Sequence, residues 1–327
     1  MSDKFCFGVD VGGTTIKVGL FSKKLELLEK WTLPTPRKGR SSEILPFIVY
    51  NIKKIMSDRN LTDCLGMGIC VPGPVLNDGT VLECVNLGWD EFNIKERIKS
   101  MLGFNVWAGN DANAAAFGEV RIGLGVMDAV MITLGTGIGG GIIHNGKIIV
   151  GSNGSAGEIG HINVAGVEGF SCGCGKNGCV ETVASGVGIV NLAKRMLGYY
   201  KGETVLKADN LSAETIFESA KDGDEFANMV VRRSMRYLAK AMANVSAVID
   251  PEAFIIGGGV SKAGTFLTDI LSEEYEKVAF SGNKNKKIIL ARLGENAGIY
   301  GAAAKLVEHL DGGLLDYAFY EAHEKKE

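Results

Sequence analysis

No stretch of this sequence is both long and apolar enough to span a bilayer; the longest nearly uncharged run, Ala129 to Ile143, is too short and too rich in glycine. The opening residues, Met1 to Phe7, lack the basic region and apolar core of a signal peptide. A soluble cytoplasmic protein with no membrane partner is expected. Excess charge is missing too, since a formal net charge of −3 gives no electrostatic reason to expect nucleic acid as a partner. Low-complexity tracts and Pro/Ser linkers are absent. With 46% apolar and 22% charged residues, the composition excludes disordered and fibrous classes. Seven cysteines are an odd number in a chain with no export signal, so reduced thiols are expected rather than a disulfide framework.

What is present is glycine, 45 of 327 residues against an average of about 7%. The glycines cluster around residues 135–141, 151–160, 169–178 and 257–259, which suggests backbone brought close to a ligand. A chain of this length predicts two lobes. Strand-like runs (Phe5–Val11, Lys17–Leu20, Leu65–Val71, Asn105–Ala108, Ala129–Leu134, Gly141–Asn145, Lys147–Val150, Phe254–Ile256) alternate with helical ones. The helical stretches are Ser41–Arg59, Phe92–Leu102, Asp111–Gly118, Gly188–Leu197, Phe226–Val248 and Ala297–Leu310. That alternation predicts an α/β protein.

One pattern occurs twice. Phe7 to Leu20 is an apolar strand, a Gly/Thr turn (Gly12, Gly13, Thr14) and a second strand, and Val130 to Ile143 repeats it around Gly135, Thr136 and Gly137. Glycine lets successive backbone N–H groups converge on an anion, and a threonine hydroxyl adds a donor. Neither turn has P-loop spacing. Either alone reads equally well as a tight turn needing positive φ. Taken with Asp10, placed to hold Mg²⁺, and the run Gly257-Gly258-Gly259, the pair points to phosphate binding.

Asn110-Asp111 opens a helix, where either residue serves as a cap. The functional reading is that Asp111 stays ionised at the helix N-terminus and takes the proton of a substrate hydroxyl during phosphoryl transfer. His161, Cys172, Cys174 and Cys179 are four soft ligands in a short glycine-rich stretch, a pattern that fits a closed structural zinc site; spacing alone also allows an iron–sulfur site. Glu158 and Glu181 flank that cluster. With Asn86, Asn110 and Asp111 they suit vicinal hydroxyls, although each singly reads as a solvated side chain.

In combination these motifs resemble the ROK family of repressors and sugar kinases, and most closely its bacterial glucokinases. The resemblance rests on Asp10 to Thr14, Asn110 to Asn113, Leu134 to Gly141, Gly157 to His161, Cys172 to Glu181 and Ile255 to Val260. It implies an actin-like (ribonuclease H-like) two-domain fold with a duplicated core, and sugar and nucleotide in the interdomain cleft. The expected domains are a small one over 1–109, a large one with the zinc loop over 110–296, and a C-terminal segment, 297–327, returning to the small domain. The resemblance implies transfer of the ATP γ-phosphate to the 6-hydroxyl of glucose with Asp111 as general base. Asn86, Asn110, Glu158, His161 and Glu181 would hold the sugar, and His161 would also ligate structural Zn²⁺. Gly12, Gly13, Thr14, Thr136 and Gly137 would face the phosphates of Mg²⁺-bound ATP, with Asp10 and Lys17 in the same nucleotide-facing set and Gly258 and Gly259 near the adenosine. One departure is Gly109, where glucokinases often carry a glutamate.

The family's repressors carry an N-terminal helix-turn-helix, for which the strand starting at Phe5 leaves no room. A homodimer is expected. Other hexoses (N-acetylmannosamine, mannose, allose or fructose), polyphosphate as donor, and a sugar sensor without turnover are the alternative readings. Another actin-like ATPase has no use for the cysteine cluster.

Overall fold

The computed structural model describes residues 4–36, 41–166 and 169–311. They form two compact units. The first takes the chain up to Gly125, the short segment Gly146–Ala156 and the described residues from Glu295; the second takes Val126–Asn145 and Gly157–Gly294.

The first unit is built on β1 (Phe5–Val11), β2 (Thr15–Ser22), β3 (Leu27–Pro34), α1 (Ile44–Asp58) and β4 (Cys64–Val71). These are followed by the small pair β5 (Thr80–Val81) and β6 (Phe92–Asn93), then α2 (Ile94–Leu102), β7 (Asn105–Asn110) and α3 (Asp111–Gly118). Its sheet runs β3-β2-β1-β4-β7. Strand β1 is buried almost throughout, which makes it a central strand covered on both faces, whereas β3 alternates half-buried with exposed positions as an edge strand does. Phe7, Val9, Ile16, Val18, Ile48, Ile52, Met67 and Ile69 are fully buried in its core.

The second unit repeats this plan. It contains β8 (Ala129–Leu134), β9 (Ile138–His144), the helices α4 (Glu181–Ala184), α5 (Gly186–Leu197), α6 (Ala213–Lys221) and α7 (Glu225–Ile249), then β11 (Ala253–Gly257), α8 (Thr265–Val278) and β12 (Lys287–Leu290). The two-residue strand β10 (Lys147–Ile148) follows β9 in sequence and lies in the short segment of the first unit. The central order β9-β8-β11-β12 matches β2-β1-β4-β7, with the first pair antiparallel and the others parallel in each. The duplication seen in the sequence is therefore a duplication of sheet topology, and the fold is the actin-like one. Among the described residues no helix is long and apolar enough to cross a membrane.

The first unit does not stop at Gly109 but continues to Gly125. The reason is the crossing of α3 with α9 (Ala297–Leu310). A Cβ on Gly301 would lie 1.7 Å from the Ala114 carbonyl oxygen, and one on Gly118 2.6 Å from that of Ala297, so the two helices meet backbone to backbone. Of the expected C-terminal segment, residues 312–327 lie outside the described residues. Phe92–Asn93, expected within a helix, pairs instead with Thr80–Val81, and Asn93 caps α2 by accepting from the Glu96 N–H at 2.9 Å.

Gly301→Ala should force these helices apart. The expected loss is about 1–3 kcal/mol, the usual cost of overpacking a tight site. An unchanged urea-unfolding midpoint would contradict the packing described.

Candidate active site

In the first unit, Asp10 sits opposite Lys17 on β2 and Cys70 on β4. Its carboxylate is enclosed: Cys70 Sγ lies 3.6 Å from Oδ1, and a Cβ on Gly298 would come within 2.8 Å of Oδ2. Burial raises the Asp10 carboxyl above its ordinary range while Lys17 pulls it down. A carboxylate so enclosed is one a cation would help keep ionised, so the position fits Mg²⁺. Gly13 and Thr14 form the exposed tip between β1 and β2, where the Gly12 N–H donates to the Thr15 carbonyl at 2.9 Å. The Asn86 carbonyl lies 3.7 Å from where a Gly13 Cβ would be. Lys17 is turned elsewhere, its Nζ donating to the Glu295 carbonyl at 2.8 Å with the Glu295 carboxylate 3.7 Å away.

Asn110 and Asp111 divide the roles the sequence left open. Asn110 is the helix cap, its Oδ1 accepting from the Asn113 N–H at 3.0 Å. Its Nδ2 donates to the Gly73 carbonyl at 3.2 Å and to Asp111 Oδ1 at 3.1 Å. Asp111 Oδ1 also accepts from the Ala112 N–H at 2.8 Å. The carboxylate is thus held in a set direction, half-buried, at the first residue of the helix.

In the second unit, the turn between β8 and β9 closes with the Gly135 N–H donating to the Gly137 carbonyl at 3.0 Å. Glu181 reaches into this turn: its Oε2 accepts from the Ile138 N–H at 2.8 Å and lies 2.3 Å from where a Gly137 Cβ would be. None of Gly12, Gly13, Gly135 and Gly137 has positive φ. Close approach, rather than left-handed turn geometry, is what requires glycine at Gly137. Gly258 is the opposite case, with φ +84° and the Leu134 carbonyl oxygen 2.5 Å from its missing Cβ.

The cysteine loop folds back on itself. Cys172 and Lys176 are joined by an N–H to carbonyl bond of 2.8 Å, Asn163 Nδ2 donates to the Asn177 carbonyl at 2.9 Å, and Arg195 of α5 lies 3.6 Å from the Phe170 ring centroid. This brings His161, Cys172, Cys174 and Cys179 together with their donor atoms all within 4.8 Å of one another. Cys172 Sγ is 3.5 Å from His161 Nδ1, and Cys174 Sγ is 3.6 Å from Cys179 Sγ. Burial pushes the Cys179 thiol up to about 12, so a cation is what would allow this sulfur to ionise. Three sulfurs and an imidazole nitrogen at this spacing fit zinc. The other ring nitrogen, Nε2, faces Glu158 at 4.0 Å, and Cys172 Sγ is 3.8 Å from Glu181 Oε1.

A cavity of about 840 Å³ opens beside the second turn, with walls that include Thr136, Val187, Lys194, Phe217 and Gly259. Of the nucleotide-facing residues expected in this unit it gathers Thr136 and Gly259, while Gly137 packs on Glu181 and Gly258 on Leu134. Sequence reasoning missed Val187, Lys194 and Phe217. The available signals were the Ser185 and Ser212 caps that start α5 and α6, whose N–H partners lie at 3.0 Å in each case.

Comparison with known proteins agrees with these features. The model of the ROK family matches residues 6–309. Over 311 residues the chain is 39% identical to a glucokinase of Halalkalibacterium halodurans, covering 92% of this chain and 94% of that protein. It is 32% identical to an N-acetylmannosamine kinase of Escherichia coli O1:K1, covering 90% and 96%. Among solved structures, a ROK family glucokinase from Streptomyces griseus in complex with glucose and AMPPNP superposes with a TM-score of 0.72 at 33% identity, covering 92% of this chain and 98% of that one. The chain belongs to the ROK family.

Proposed function

We propose that the protein is a sugar kinase that transfers the γ-phosphate of ATP to the 6-hydroxyl of glucose. The observation that carries this reading is the fixed carboxylate of Asp111, aimed by the Ala112 N–H and the Asn110 amide from the first turn of α3. Such a group accepts the proton of a bound hydroxyl as that oxygen attacks phosphorus. Glucose is preferred over N-acetylmannosamine because the glucokinase relative is the more similar of the two, 39% against 32% identical.

Asn86, Asn110, Glu158, His161 and Glu181 would hold the sugar hydroxyls, fixing the reacting oxygen near Asp111. Gly12, Gly13, Thr14 and Thr136 would offer N–H and hydroxyl donors to the phosphates. The base and ribose would occupy the cavity walled by Val187 and Phe217. Asp10 would hold Mg²⁺, which supplies charge neutralisation at the transferred phosphate when bound. Lys17, tied to Glu295, would set the position of Asp10 across the strand pair rather than touch a phosphate itself. Gly137 would act through Glu181, because any side chain there displaces the carboxylate.

His161, Cys172, Cys174 and Cys179 would hold Zn²⁺, which when bound cross-links the loop. The division of labour lies in the His161 ring: Nδ1 faces the sulfurs and Nε2 faces Glu158. A ring fixed at one nitrogen orients its neighbour at the other.

Turnover measured by coupled ADP release against glucose, mannose, N-acetylmannosamine, allose and fructose tests the substrate. Glucose should give the highest kcat/KM; a higher value for another sugar would replace it. Asp111→Asn should lower kcat at least about 100-fold while sugar affinity stays within about tenfold. Unchanged turnover in that variant would remove Asp111 from the base role. Atomic emission should find zinc at a stoichiometric level, and Cys174→Ser should lose the metal and raise the KM for sugar more than that for ATP. Native protein without zinc would overturn the ligand assignment.

A further inference from the structure

Two adjoining cavities of about 380 Å³ each lie in the first unit, sharing Asn77, Trp107, Ala108, Lys305 and Glu308 as walls. The inner one is also lined by Asn110, Asn113 and Lys147, and every residue lining it belongs to the first unit. Neither Asp10, Asp111, Asn86 nor the glycine turns line it. It is therefore separate from the groups assigned above to the reaction, apart from the cap residue Asn110.

Two observations give this cavity a chemical character. Asn113 is only 4% exposed, yet its Oδ1 has no hydrogen-bond partner among the described residues. A buried acceptor left unpaired costs stability unless something donates to it, and a ligand hydroxyl would supply that donor. The walls also carry positive charge. Lys147 has no ion-pair partner among the described residues, while Lys305 pairs with Glu308 and sits 4.8 Å from the Phe117 ring centroid. Lys95 lines the adjoining cavity, so three ammonium groups face one carboxylate. Together they call for a small ligand with a hydroxyl at one end and an anionic group at the other.

We propose that this cavity is a second binding site, for a phosphorylated polyol of the sugar-phosphate class. Its hydroxyl donates to Asn113 Oδ1 and its phosphate lies on Lys147, beside the half-buried indole of Trp107. The occupant would also touch Asn110, whose amide holds Asp111 Oδ1 at 3.1 Å. That contact gives the site a direct route to the group proposed as base, and this part rests on the kinase reading.

The test is calorimetric titration of the intact protein with glucose 6-phosphate, in saturating glucose and a non-hydrolysable ATP analogue so that the reaction site is filled. Binding is expected, and Lys147→Glu and Asn113→Ala should each weaken it by about tenfold, roughly one charge-assisted or buried polar contact. Lys147 is exposed, so its variant should fold even if removing the Asn113 amide disturbs the helix. Inorganic phosphate should bind at least about tenfold more weakly; equal binding would show that charge alone is read and would overturn the proposal. So would affinity unchanged in both variants, or no binding at roughly 10 mM, the weak end of small-ligand affinity. Should the chain lack kinase activity, the turnover panel would show it, while this titration would still report on Lys147 and Asn113.

Discussion

Helix α9 lies against its neighbours with no side chain between, and the arrangement of the first unit depends on that contact. A Cβ on Gly8 of β1 would fall 2.0 Å from the Ile299 carbonyl oxygen, and one on Gly68 of β4 1.9 Å from that of Ala302. Gly301 meets α3 in the same way, through Ala114. Two strands and a helix therefore converge on one helix at backbone distance, where packing tolerates no added methyl group. The chemistry follows from this geometry. Gly298, at the start of α9, leaves the space that the Asp10 carboxylate fills, and α3 is held so that Asp111 begins at the end of β7.

The second unit uses the same device for a different purpose. At Gly137 the missing side chain is replaced by a carboxylate, Glu181, which arrives from the far side of the cysteine loop. A turn proposed to bind phosphate and a residue proposed to hold the sugar are thus joined through one N–H, that of Ile138. The cysteine cluster stands next in line, with Cys172 near both His161 and Glu181. A loop held by Phe170 under Arg195 at one end, and carrying at the other the sulfurs proposed to hold zinc, presents both polar residues without placing either in a regular element longer than one turn.

Much of this was legible in the sequence, for physical reasons. Continuous apolar runs such as Phe5–Val11 announce central strands, and a repeated strand–turn–strand pattern announces a duplicated sheet. Four soft ligands in a glycine-rich loop can hardly be a core. Other features were not legible. Strand β3 carries Glu29, Lys30 and a terminal Pro34, so its alternation hides behind charge; only pairing with β2 makes it a strand. Lys17 belongs to the nucleotide-facing set that the resemblance implies, and its contact with the Glu295 carbonyl, 278 residues away in sequence, is one that no local pattern records. The cavity beside Thr136 draws its walls from three helices and a glycine run, and no local pattern records such a meeting. The glycine clusters read as backbone brought close to a ligand; at Gly137, Gly140 and Gly258 the close neighbour is the protein itself, and which atom lies there depends on tertiary structure alone.

The first unit is assembled from three pieces of chain, the last beginning at Glu295. Because Gly8, Gly68 and Ala114 form a slot that α9 fills, the first unit cannot complete its core during synthesis until α9 has emerged. The second unit, which needs nothing beyond Gly294, can reach its native packing first. A chain folding from its N-terminus would therefore hold an open slot lined by strand backbone until α9 is made. Among the described residues, α9 packs on α3, β1, β4, β7 and β2, all far away in sequence, and its late arrival exposes the closing of that slot to misassembly.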